Sequence, residues 1–108
     1  MIVPQSVSLG KILKSVASTI AIPIENNTKD KYQLLFTTSC GCSAPKPKEA
    51  ILFAGAKIAP EVTVTKTTTM KNASVTLSVH VLKVNDEPVT KEKALSLKKE
   101  IKVTFDVV

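Results

Sequence analysis

The sequence predicts an all-β domain, an antiparallel sandwich of seven or eight strands. Apolar and polar residues alternate through most of the chain, which places one face of each strand in a core and the other in solvent. Turn-forming residues separate these segments at intervals of roughly 8–15 residues, a spacing typical of sandwiches. Helix-forming composition is confined to residues 91–100. We therefore expect β-structure from one end of the chain to the other.

The composition fits a single domain over residues 1–108. A chain of 108 residues has room for one core, and a domain of this size buries about two thirds of the surface that its unfolded chain exposes. Apolar residues make up 44% of the chain, with one Tyr, three Phe and no Trp, so the predicted core is aliphatic.

Two alternating segments define the strands of the first half, after a short edge strand at residues 7–9. In the first, Pro23 places the strand near an edge or a bulge, because proline cannot donate to a neighbouring strand. The second ends at the only two cysteines of the chain. The residues predicted to face the core are Ile20, Ile22 and Ile24 in the first segment and Tyr32, Leu34 and Phe36 in the second.

The middle of the chain is predicted to hold a loop and two short strands. Pro45, Lys46, Pro47 and Lys48 form the loop, since neither proline has an N–H group for a strand ladder. A short strand follows at residues 51–53. Residues 62–69 are β-branched almost throughout, which favours a strand.

The last third contains the clearest alternation. Residues 70–73 are predicted to interrupt the chain before the strand with Val75, Leu77, Val79 and Val81 on one face. A turn is predicted at residues 85–88. Residues 91–100 fit one or two helical turns, or equally a loop or a strand extension. The closing strand places Ile101, Val103, Phe105 and Val107 on its inner face.

This spacing of strands is typical of an immunoglobulin-like domain, without the Cys…Trp…Cys arrangement of antibody domains. Four segments, Ser8–Gly10, Ile22–Asn26, Ser39–Pro45 and Ile101–Asp106, occur in an order that resembles a bacterial and phage domain-of-unknown-function family with a Ser-Cys-Gly-Cys signature. The resemblance implies the immunoglobulin-like sandwich and no particular reaction. The chain departs from the family pattern at Lys57–Glu61, which lacks the usual glycine.

Charge and hydropathy limit the classes of partner. The net charge is +6, and all fifteen positive residues are Lys. Because base-specific recognition relies on the planar fork of Arg, we expect no specific nucleic-acid partner. No segment reaches the ~20 apolar residues of a membrane-spanning helix, and no secretion signal opens the sequence, so we expect no membrane span.

Cys40, Gly41 and Cys42 form a Cys-x-Cys segment with three interpretations. The sulfur atoms can form a reducible disulfide in a very small ring, provide half of a metal site, or remain as two thiols beneath a turn for which Gly41 supplies an unusual backbone angle. We favour the two thiols, with a redox pair second. A zinc site needs about four ligands, and His80 is the only histidine.

No motif for catalysis is present: the sequence has no glycine-rich phosphate loop, nucleophile elbow or paired carboxylates. We therefore predict a protein that is not an enzyme and needs no cofactor or metal. The favoured hypothesis is a structural or interaction module, an accessory or decoration component of a phage virion that binds other protein subunits or copies of itself. The predicted contacts are Met1, Ile2 and Val3 and the loop Pro45, Lys46, Pro47 and Lys48. The alternative is a bacterial envelope or periplasmic domain with a redox-active or metal-binding Cys-Gly-Cys loop.

Overall fold

A computed structural model describes all residues, 1–108. Its elements, in chain order, are β1 (Ser6–Ile12), β2 (Ser18–Ala21), β3 (Ile24–Glu25), β4 (Tyr32–Thr38), β5 (Ser43–Lys46), β6 (Glu49–Leu52), β7 (Lys57–Ile58), β8 (Glu61–Val64), β9 (Met70–Val84), β10 (Glu87–Pro88), α1 (Lys91–Leu97) and β11 (Lys99–Val107).

The strands form two main sheets and a small accessory pair. The larger sheet has the order β1-β11-β9-β4-β6, with β10 paired to the end of β9, and the smaller has the order β2-β8-β5. β3 and β7 pair separately. The predicted all-β sandwich is confirmed, and eight of its strands have four or more residues. One pairing differs from the antiparallel prediction: β1 runs parallel to β11.

The core lies between the two sheets and is formed by the alternating residues that the sequence indicates. All the inner-face residues predicted for β4, β9 and β11 are buried, and so are Ile22 and Ile24. Val62 and Val64 of β8 complete the core from the smaller sheet. Tyr32, Phe36 and Phe105 are its only aromatic side chains, as expected for an aliphatic interior.

β9 continues through residues 70–73, where the sequence predicts an interruption. An extra residue in β9 opposite Phe105–Val107 forms a bulge, and Asn72 adopts a φ of 54° there. The Asn72 N–H donates to Asp106 Oδ1 at 2.8 Å, which replaces a ladder hydrogen bond. Asn tolerates this left-handed conformation better than most residues, so the polar stretch bends the strand without ending it.

The connection between β9 and β11 contains a tight turn and a helix. Asn85 and Asp86 have φ values of 51° and 69°, the geometry of a two-residue hairpin turn, which confirms the predicted turn. The helical interpretation of residues 91–100 is correct for Lys91–Leu97, where Thr90 Oγ1 caps the helix by accepting from the Lys93 N–H at 3.2 Å. No helix in the structure is long and apolar enough to cross a bilayer.

The loop predicted at residues 45–48 is partly wrong, because β5 includes Pro45. The Thr65 N–H donates to the Cys42 carbonyl at 3.0 Å, and bonded and non-bonded pairs alternate along antiparallel strands. Ala44 and Lys46 therefore direct their backbone groups towards β8, and Pro45 directs its nitrogen outward, where no N–H is needed. After a cis Lys46–Pro47 peptide bond the chain enters the larger sheet as β6.

Candidate functional site

The structure places the sequence-predicted site residues in different parts of the molecule. The Cys40–Cys42 segment follows the end of β4, and Pro45–Lys48 lies next to it along the chain. Met1–Val3 lies beside Glu25 and Asn27, which precede the start of β4. Because β4 has seven residues, roughly 20 Å separates the two ends. The predicted contacts therefore form two separate regions.

The Met1–Val3 segment is bound to its own domain. The Ile2 N–H donates to the Glu25 carbonyl at 2.7 Å, and the Glu25 N–H donates back to Ile2 at 3.0 Å. The Met1 amino group donates to Asn27 Oδ1 at 3.1 Å. The segment thus adds to the β3–β7 pair. Beside it lies an open apolar groove of about 350 Å³, lined by Ile2, Val3, Pro4, Pro23, Ile24, Glu25 and Lys57.

Asn26 is a buried polar residue that is not among the core residues predicted from the sequence. Its side chain is 0% exposed, and Nδ2 donates to the carbonyls of Asp30 at 2.7 Å, Leu52 at 3.2 Å and Phe53 at 3.1 Å. Its Oδ1 accepts from the N–H of Thr28 at 3.0 Å and from Thr28 Oγ1 at 2.6 Å. Asn26 therefore joins the β3–β4 connection to the end of β6. The signal was available, because position 26 continues the inward alternation of Ile22 and Ile24.

The free side of β6 is an open sheet edge that the sequence reasoning did not identify. The Phe36 N–H donates to the Lys48 carbonyl at 2.8 Å, so alternation directs the backbone groups of Glu49 and Ile51 away from β4. The Ile51 and Phe53 side chains are 52% and 59% exposed. We call Glu49, Ile51 and Phe53 the β6 edge. The sequence indicated exposed apolar side chains here, because alternation in the apolar run Ile51–Phe53 can bury Leu52 only by exposing its two neighbours.

Positively charged lysine side chains lie near the β6 edge. Lys31 Nζ lies 5.9 Å from the centroid of the Phe53 ring and 2.8 Å from Asp86 Oδ2. Lys46 and Lys48 are exposed on the segment that precedes β6. Apart from Glu49, the charged residues that flank the edge along the chain are positive.

The neighbouring edge, β5, is closed to strand addition. Pro45 presents no N–H, and the outward groups of Ser43 are already used: its N–H donates to the Cys40 carbonyl at 3.1 Å, and its carbonyl accepts from Thr38 Oγ1 at 3.1 Å. Lys and Pro at such positions are common protection against edge-to-edge association. Of the two edges on this side of the sandwich, only β6 can pair with another strand.

Cys40 and Cys42 form a disulfide, with Cα atoms 5.2 Å apart, where the sequence favours two free thiols. The bend of the loop brings the sulfur atoms together, whereas an extended strand would hold residues i and i+2 farther apart. Gly41 has no positive φ, so the predicted unusual backbone angle is wrong. Cys40 Sγ accepts from the Cys42 N–H at 3.1 Å and lies 3.6 Å from Lys66 Nζ.

His80 lies on the outer face of β9, where Nε2 is 2.9 Å from Thr37 Oγ1. The structure contains no cluster of three or more His, Cys, Asp or Glu side chains arranged as metal ligands.

Comparison with solved structures shows the class of fold, an immunoglobulin-like β-sandwich, and the similar chains include PapD-like and MSP domains. The chain is similar to the ASH/PapD-like domain 7 of human CEP192, with a TM-score of 0.71 and 9% identity over 96% of this chain and 81% of that chain. It is also similar to WR4, an MSP family member of C. elegans, with a TM-score of 0.63 and 10% identity over 97% of this chain and 94% of that one.

A third similar structure is the class 5 fimbriae chaperone CfaA, with a TM-score of 0.60 and 14% identity over 97% of this chain and 54% of that chain. At these identities the similarity shows the fold, and it confirms the predicted immunoglobulin-like class. No family model matches the chain, and no curated protein matches it in sequence.

Proposed function

We propose that this chain is a non-enzymatic protein-binding module that attaches to the protein lattice of a phage virion as an accessory or decoration component. The observation that carries the proposal is the β6 edge, the free side of a strand with two exposed apolar side chains and two lysines just before it in the chain.

The backbone of the β6 edge has what strand addition requires. Glu49 and Ile51 each present one N–H and one carbonyl outward, so an extended segment of a partner can form about four hydrogen bonds with them. Ile51 and Phe53 then supply apolar area beside the added strand, and each fully buried side chain of this size contributes about 1.5–3 kcal/mol. Backbone pairing gives affinity, and the two side chains give selectivity.

The charge favours an acidic partner surface. Lys46 and Lys48 lie next to the edge, and the whole chain carries a net charge of +6. Two copies of the chain would repel each other, whereas an acidic lattice protein would be attracted. The lack of Arg directs this attraction towards proteins rather than specific nucleic-acid sequences.

The virion assignment is supported by fold and composition. The same fold occurs in CfaA, a class 5 fimbriae chaperone. The use of fifteen Lys without Arg, with twelve Thr and eight Ile, fits an A/T-rich coding sequence. The resemblance to the bacterial and phage family with the Ser-Cys-Gly-Cys signature is a further support for this proposal.

The test uses purified virions from the natural source. Quantitative mass spectrometry measures the copies of the chain per particle, and purified chain is then returned to particles from which it has been removed by high salt. We expect a constant copy number and saturable rebinding. The double variant Ile51→Lys/Phe53→Lys changes only exposed side chains, so it should fold and bind at least tenfold more weakly.

The matched control is Leu95→Lys, which replaces another exposed apolar residue, on α1. It should rebind like the unchanged chain. Absence of the chain from particles would refute the virion assignment. Equal rebinding by the double variant, with its fold confirmed by circular dichroism, would refute the role of the β6 edge.

A further inference from the structure

The two sulfur atoms of the Cys40–Cys42 disulfide have different surroundings. Cys40 Sγ is 3.6 Å from the Lys66 ammonium and accepts the Cys42 N–H at 3.1 Å. The structure gives Cys42 Sγ no comparable donor. Because a cation and an N–H group both stabilise negative charge, a thiolate forms more readily at Cys40 than at Cys42.

The backbone around the disulfide is held by bonds that do not involve sulfur. The Cys40 carbonyl accepts from the Ser43 N–H at 3.1 Å and from Ser43 Oγ at 3.0 Å. The Cys42 carbonyl accepts from the Thr65 N–H at 3.0 Å. These bonds remain when the disulfide opens, so the loop keeps both sulfur atoms in place for closure.

Lys66 is also fixed from outside the loop. Its carbonyl accepts from the Ser15 N–H at 2.7 Å, and it follows β8 directly after Thr65, which pairs with Cys42. The side chain is half-buried, so its ammonium is less screened than that of a fully exposed lysine. The sandwich therefore fixes the backbone position from which the Lys66 side chain reaches Cys40.

We propose that the Cys40–Cys42 disulfide is a site of thiol–disulfide exchange with a fixed polarity, in which a low-molecular-weight thiol attacks Cys42 and Cys40 is the leaving group. This activity lies beyond the proposed attachment to a lattice. Both cysteines are only partly buried, which leaves the loop accessible to a small thiol.

The exchange balances in two steps. The incoming thiolate forms a bond to Cys42 Sγ, the Cys40–Cys42 bond breaks, and its electron pair remains on Cys40 Sγ, beside Lys66 and the Cys42 N–H. A second thiolate attacks the sulfur of the first thiol and releases the Cys42 thiolate. Two external thiols are oxidised to one disulfide, and the protein gains two electrons; the reverse reaction closes the ring.

The first test compares single thiols in the full-length chain. Cys42→Ser leaves Cys40 with its ammonium and N–H donors, and Cys40→Ser leaves Cys42 without them. At one near-neutral pH, iodoacetamide should alkylate Cys40 roughly three- to tenfold faster than Cys42. Adding Lys66→Met to Cys42→Ser should remove most of the difference, and Lys66→Arg should retain it. Lys91→Met, which removes an exposed lysine on α1, is the control for net charge.

The second test locates the mixed disulfide. The oxidised chain is mixed with reduced glutathione, quenched with acid and fragmented in a tandem mass spectrometer. We expect glutathione on Cys42. Glutathione on Cys40, equal alkylation rates, or a wild-type chain that keeps two alkylatable thiols after treatment with oxidised glutathione would overturn the proposal. These experiments need no virion, so their outcome is independent of the lattice proposal.

Discussion

At the scale of single residues, Asn26 shows how a polar side chain can be required inside an aliphatic core. It lies at the point where the alternation of β2 and β3 enters a turn, and its amide donates to three carbonyls, of which that of Phe53 also accepts from the Ala56 N–H. A buried polar group without a partner costs about 1–3 kcal/mol. Asn26 therefore holds two connections in place, the one between β3 and β4 and the one that follows β6.

Replacement of this amide should be costly. Asn26→Ala removes five side-chain hydrogen bonds and leaves the Asp30 carbonyl without its Asn26 donor, so we expect the free energy of unfolding to fall by about 2–4 kcal/mol in urea denaturation. Asn27→Ala is the matched control, because Asn27 is exposed and binds only the terminal amino group. A loss for Asn26→Ala no larger than that of the control would contradict this account.

At the scale of elements, alternation predicted which residues of β4, β9 and β11 face the core, because every second side chain of a strand lies on the same face of the sheet. The neighbours of each strand were not predictable in this way. The parallel pairing of β1 with β11 and the order that leaves β6 at an edge depend on contacts between distant segments. The sequence therefore identified Ile51 and Phe53 as apolar residues, but it did not show that they lie at an open sheet edge.

The bulge of β9 gives a prediction that separates strand propensity from local backbone geometry. In a regular strand, replacement of Asn by Val is favourable. At position 72 the φ of 54° is strained for any side chain branched at Cβ, so we expect Asn72→Val to lower the free energy of unfolding by about 1–2 kcal/mol. Ser74→Val, on the exposed face of the same strand, should be neutral or stabilising. Thermal unfolding of the two variants distinguishes them, and stabilisation by Asn72→Val would show that the bulge straightens.

At the scale of the whole molecule, the sandwich separates two surfaces with different chemistry. The disulfide loop and the Pro45–Lys48 segment adjoin at one end of β4, and the groove beside Met1–Val3 lies at the other. Sequence reasoning identified the cysteines and the lysines because their chemistry is carried by residue type. Their closeness in sequence places them in one region, but which surface of the sandwich they occupy depends on how the chain crosses from the smaller sheet to the larger at Pro47.

The net charge of +6 leads to a prediction about where charge acts. At physiological ionic strength the Debye length is about 8 Å, so a lysine influences an added strand only when it lies near that strand. Lys46→Glu/Lys48→Glu and Lys91→Glu/Lys93→Glu lower the net charge equally and change only exposed side chains, the first pair beside the β6 edge and the second on α1. If an acidic lattice segment pairs with β6, the first variant should rebind to stripped particles several-fold more slowly and lose most of its salt dependence. The second should behave like the unchanged chain at moderate salt. Stopped-flow or surface-based rebinding kinetics at two salt concentrations measure both effects. Equal slowing of the two variants would show that the attraction to the particle depends on total charge and not on the lysines beside the β6 edge.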